Sequence, residues 1–323
     1  MAEDVFAEEK KTRTSRMKTR LYFVRLTVNL VVLAVLAGCG FLIYEIATLK
    51  ISNDDPFLAL LIEFLPSITI TALNFIVPKV FKLLAGWEHL SATFEIKMTL
   101  FRTVLLRLAS LLILIITLLA SQSNKSNQSK KSEDEPAVGR CWETAIGQEF
   151  YQLCIFDAAV TISLALLVKL PIALIFQQCT LSKSSPFVSL AHPEFDLASS
   201  TLNLIYGQAI CWMGLIYSPL LSVVTAVKFF ISYYVQYFSL IVYTASPSRL
   251  YGGSSSSALF MNVLLITLIT CVLPLGYHIT FIEPSDYCGP YRGTSTVWTT
   301  ISKEVGILET LGMLSCRFFF LCG

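Results

Sequence analysis

The chain has 323 residues, of which 54% are hydrophobic and only 14% charged, with 24 Lys and Arg against 22 Asp and Glu. A soluble domain carries about 25% charged residues, so this composition and a mean hydropathy of +0.66 exclude a water-soluble globule and point to an all-α polytopic membrane protein. Nine cysteines and three histidines (His89, His192 and His278) fall in no metal-ligand spacing; with no nucleophile–base pair and no phosphate loop, no metal, cofactor, enzymatic activity or nucleic-acid partner is expected.

Residues 1–20 form a basic arm, with Lys10, Lys11, Arg13, Arg16, Lys18 and Arg20 but no apolar core of a cleaved signal. The arm reads as cytoplasmic, either as a topology signal or as a patch for anionic lipid. A first span is predicted over Tyr22–Leu49 and, after the turn ISNDDP, a second over Phe57–Leu84. In the second, Glu63, Ser67, Thr71, Asn74, Pro78 and Lys82 recur three or four residues apart. At about 100° per residue they fall on one stripe, with Phe75 at its edge and Leu60, Ile62 and Leu73 opposite. Such a stripe either faces water or glues the helix to a neighbour. Two charged ends on one stripe favour water.

Lys79, Lys82, Lys97, Arg102 and Arg107 flank the next link, which the charge rule makes cytoplasmic. The third span, Leu100–Ala120, reads as plain lipid-facing helix. Residues 121–140 are a solvated, low-complexity loop with sequons at Asn124 and Asn127, candidate glycosylation sites if the loop is extracellular. Residues 121–146 complete that outer segment. The fourth span, Gly147–Gln177, buries Asp157 in apolar sequence, which is expensive unless it meets water, a cation or a partner. Glu149, Gln152, Leu153, Asp157, Val160 and Leu164 share a face, and Lys169 lies off it.

Asp196, before the next span, reads as a helix N-cap or as charge at a pore mouth. The apolar run 201–245 is too long for one crossing and divides at Pro219. That gives spans Thr201–Ser218 and Leu220–Thr244. Lys228 is expected to snorkel to the interface, and the aromatics after it to form an interfacial belt. A seventh span covers Leu259–Ile282, with a kink expected at Pro274. The spans from 147 to 282 form a second transmembrane block, and 283–323 an outer loop with a divergent tail. Cys288 and Cys141 would share the oxidising side, as a disulfide or as two free thiols. Seven spans put the termini on opposite sides.

The run CWETAIGQEFYQLCIFD at 141–157 adds what periodicity cannot. It resembles the signature of the transmembrane channel-like family, roughly CWETxVGQExYKLxxxD, with Cys141, Trp142, Glu143, Thr144, Gly147, Gln148, Glu149, Tyr151, Leu153 and Asp157 in place. Ile146 stands for Val, and Gln152 for Lys. Further resemblance lies in FLPSITITALNFIVPKVF, EFDLASSTLNLIYGQAICWMG, YSPLL and PSDYCGPYRG.

The resemblance implies an anoctamin-like, dimeric bundle of ten helices per subunit, of which this chain matches roughly the third to the ninth. It implies that Ser67, Asn74, Phe75, Glu149, Asp157 and Asp196 line or flank an ion path, to which the stripe adds Glu63 and Thr71. Implied partners are the bilayer, permeating cations, a second subunit, accessory membrane subunits, a tip-link cadherin and calcium- and integrin-binding proteins. The expected function is the pore of a mechanosensitive, cation-permeable channel in the plasma membrane. A lipid scramblase and a non-conducting regulatory protein of an intracellular membrane are the alternatives.

Overall fold

The computed structural model describes residues 15–48, 56–88, 92–129, 142–179, 197–242, 244, 253–284, 292–303 and 306. The main elements are all helical: α1 (Ser15–Thr48), α2 (Pro56–Trp87), α3 (Ala92–Ser129), α4 (Trp142–Ser163), a π-helical segment (Leu164–Lys169), α5 (Leu170–Cys179), α6 (Leu197–Gly214), α7 (Leu220–Val242) and α8 (Gly253–Phe281). Among the described residues, six stretches are long and apolar enough to cross a membrane: Thr19–Thr48, Phe64–Trp87, Lys97–Ala120, Trp142–Ile175, Leu220–Val242 and Ala258–Phe281. The protein is an integral membrane protein with several spans.

Of the seven expected spans, the fifth, α6, is not among those six. Asn203, Gln208 and two glycines dilute its apolar character, and it lies in the bundle interior. Leu202, Tyr206, Ala209, Ile210 and Met213 are all buried. A helix surrounded by other helices can carry polar groups that lipid would reject.

Other boundaries differ from expectation. α1 starts at Ser15, so Arg16, Lys18 and Arg20 extend a helix. α3 reaches Ser129, so the backbone at Asn124 and Asn127 is helical, where a loop was expected. α4 begins at Trp142, five residues before the expected start, with Glu143 in its first turn, where a negative charge suits the helix dipole. The break at Pro219 is observed: Leu215–Tyr217 form a turn and α7 starts at Leu220.

The largest correction concerns α3. It is no lipid-facing rod, because Leu111, Leu114 and Ile115 are fully buried at the centre of the main core. Around them pack Ile43 of α1, Ile70 of α2, Phe150 and Leu153 of α4, Ile210 and Met213 of α6, and Cys271 of α8. Lipid and a neighbouring helix are equally apolar surroundings, so hydropathy alone cannot separate the two. Close approach elsewhere rests on glycine. A Cβ at Gly147 would meet the Tyr217 carbonyl at 3.1 Å, and one at Gly214 would collide with Leu221.

The rod from Trp142 to Cys179 is not uniform. The Leu170 N–H bonds to the Ala165 carbonyl, five residues back. Pro171 follows directly and lacks the N–H that a regular turn needs. The wider π turn therefore absorbs the proline at a point the sequence reading did not single out.

Candidate functional site

The first turns of α4 are an anchor. The Trp142 ring packs edge-on to His278 of α8 at 5.6 Å, and Tyr217 lies 4.9 Å from the same imidazole. Glu143, Ile146, Gly147, Phe150, Gln152 and Leu153 are buried. Tyr151 packs against the core, while Thr144 and Gln148 are exposed.

One turn further on, α4 meets the polar stripe of α2. Ser67 and Thr71 are buried, and Asn74 is 6% exposed. The Ser67 hydroxyl donates to the Glu149 carboxylate and carbonyl, each at 3.4 Å, and Thr71 donates to the Ser67 carbonyl at 2.8 Å. The middle of the stripe thus faces protein. Its far end opens, where Lys82 is exposed and the Lys79 ammonium lies 3.6 Å from the Phe75 ring centroid.

Deeper along α4, Asp157 accepts a 2.6 Å bond from the Lys228 ammonium of α7, and both side chains are largely buried. Lys228 therefore does not snorkel. It sits two turns into α7, too far from that helix's end, and a carboxylate is within reach. Beside this pair is a small pocket with room for about one water molecule. Asp157 and Thr161 of α4, Asn203 of α6, and Ser232 and Gln236 of α7 stand around it, although most of its exposed wall is apolar.

Asn203 links the pair to a second cation. Its side-chain oxygen accepts from Arg107 of α3 at 2.7 Å, and the guanidinium lies 5.3 Å from the Tyr206 ring centroid. Glu149, Asp157, Arg107 and Lys228 thus place two carboxylates and two cations in the helix-lined interior. No three His, Cys, Asp or Glu side chains converge as metal ligands among the described residues.

Comparison with known proteins agrees with this architecture. The family model described as the TMC domain matches residues 141–254. The chain is 33% identical over 321 residues to the human "Voltage-gated chloride channel TMC4", covering 95% of this chain and 44% of that protein. It is 31% identical to human "Transmembrane channel-like protein 8" over 82% of this chain and 37% of that protein. With zebrafish "Transmembrane channel-like protein 2-B" the identity is 26%, over 94% and 38%. This chain belongs to the transmembrane channel-like family. It spans less than half the length of the curated relatives it matches.

In this TMC chain, Ser67 meets Glu149 between α2 and α4, Thr71 and Asn74 are buried further along the same face of α2, and Phe75 marks the exposed edge. Asp157 lies apart from them, on α7's side of α4. Glu63 is on α2 with its side chain outside the described set, and Asp196, Cys141 and Cys288 are outside the described residues. Sequence reasoning missed Lys228, Arg107, Asn203 and Tyr206 as site residues. Arg107 was counted only as a flanking charge, although it lies well inside α3. Asn203 and Tyr206 fall in a family-like segment, but nothing in their spacing tied them to a charge.

Proposed function

We propose that this chain carries the ion path of a channel subunit, and that the path runs through the polar seam between α4, α6 and α7. One observation carries this: a 2.6 Å Asp157–Lys228 pair buried in membrane-spanning sequence beside a small pocket with room for about one water. A buried pair rarely improves on apolar packing as a means of stability. In a seam that must admit ions it closes the route and supplies charge when it parts.

Lys228 neutralises Asp157, and Arg107 leaves one further positive charge nearby. That balance favours anions, in keeping with the name of the human relative, a voltage-gated chloride channel. Cation permeation under membrane tension is the second reading, favoured by the Ser67–Glu149 contact, which holds another carboxylate at the α2–α4 seam. Parting of α4 from α7, by voltage or by tension, would open either path.

Reconstituted liposomes separate these readings. The account expects chloride efflux faster than potassium efflux from vesicles containing the protein. Faster potassium efflux, rising with osmotic tension, would select the cation reading. Lipid flipping without ion flux would point to a scramblase, and neither activity to a regulatory protein.

A further inference from the structure

Asn74, Tyr206 and Arg107 come from α2, α6 and α3, and none of the three completes its hydrogen bonding within the protein. Both polar atoms of the Asn74 amide, the Tyr206 hydroxyl, and Nε and Nη1 of Arg107 are buried without a partner. Asn74 and Tyr206 are 6% and 3% exposed. The Arg107 guanidinium lies 5.3 Å from the Tyr206 ring centroid, the Asn74 amide lies beside the Tyr206 hydroxyl, and the charges of both Asp157 and Arg107 reach that hydroxyl. Buried donors left unmade cost about 1–3 kcal/mol each, so native proteins rarely leave several together without a use.

The charge at this point is also incomplete. Among the described residues Arg107 makes no ion pair; its one side-chain hydrogen bond is to the neutral Asn203 oxygen. The carboxylate within electrostatic reach, Asp157, is already held by Lys228 at 2.6 Å. An amide N–H, a phenolic O–H and two guanidinium N–H groups present donors around one uncompensated positive charge. That is the complement of an anion.

We infer that Arg107, Asn74 and Tyr206 form an internal binding site for a small monovalent anion of chloride's class. One positive charge flanked by neutral donors matches a monovalent anion; the pocket beside Asn203 is a separate space, lined by Asp157 and Lys228. The inference deepens the anion reading and rests on it for its place in conduction. Binding itself can be measured separately.

The test uses the purified chain in lipid nanodiscs, with thermal unfolding followed in sodium chloride and in sodium gluconate at equal ionic strength. The expected result is a melting temperature a few degrees higher in chloride, saturating as chloride rises. Arg107→Gln should abolish that difference, and Tyr206→Phe should weaken it. If Arg107→Gln fails to fold, Asn74→Ala serves instead, with the same weakening expected. No chloride-dependent difference in the wild type, or one undiminished in these variants, would overturn the site. Chloride flux that persists alongside that result would leave the anion-channel reading standing. A chloride-dependent shift lost in Arg107→Gln, with no chloride flux in the wild type, would keep the site and remove the channel reading.

Discussion

Among the described residues, two ion pairs of equal length are buried in different surroundings. Arg102 of α3 meets Glu88 at 2.6 Å, with only 3% and 2% of the side chains exposed. Arg102 also donates to Asn29 of α1 at 2.7 Å, so one guanidinium ties α1, α3 and the turn after α2. Lys228 meets Asp157 at the same 2.6 Å, but Asp157 is 15% exposed and borders a small pocket. The first pair is sealed by packing and fastens three elements. The second spans a seam with room beside it and a further cation nearby. Geometry at the contact is the same; what distinguishes the fastening from the proposed gate is what surrounds it.

The comparison breaks most visibly at the sealed pair. Glu88→Gln leaves Arg102 charged and unmatched in the core, and should cost about 3–5 kcal/mol of stability. Thermal unfolding in detergent would register it, while the ion selectivity of the surviving protein stays as in the wild type. Asp157→Asn should cost less, about 1–3 kcal/mol, because pocket water can reach the orphaned ammonium. Its larger effect should be on permeation: cation and divalent flux fall relative to chloride. A stability loss as large as that of Glu88→Gln, with selectivity unmoved, would make both pairs fastenings. Smallest is Gly207→Ala. A Cβ there would lie 2.8 Å from the Phe229 ring and 3.2 Å from the Lys228 ammonium. Overpacking of this kind costs about 1–3 kcal/mol, eased here because the lysine end can move. Gating should shift, with selectivity kept. Current–voltage relations before and after the change would check it.

Much of the helical architecture is legible in the sequence, because the spans announce themselves as apolar runs and Pro219 and the ISNDDP turn punctuate them. The lipid-facing and protein-facing sides of α3 are not legible, since LRLASLLILIITLLA is apolar all round and both environments accept it. Half of the site is legible for the same kind of reason. Asp157 stands out because a carboxylate inside an apolar run is costly, and the Ser67–Thr71–Asn74 stripe stands out by period. Their partners do not. Lys228 lies 71 positions from Asp157 and Arg107 lies 96 from Asn203, and no local pattern encodes such pairings. A lysine within reach of a span end reads as a snorkelling residue until the fold supplies its carboxylate. Pro171 was legible in principle, since a proline inside a predicted helix demands an accommodation, which the π turn at 164–169 provides.

The central claim is that the Asp157–Lys228 pair lies on the ion path and sets its charge preference. The most direct measurement is the reversal potential of the reconstituted protein under a potassium chloride gradient, for the wild type and for Lys228→Gln. The account predicts a wild-type value near the chloride equilibrium potential and a Lys228→Gln value displaced toward that of potassium, because Asp157 is then unneutralised. Identical reversal potentials in the two proteins, with both conducting, would contradict it.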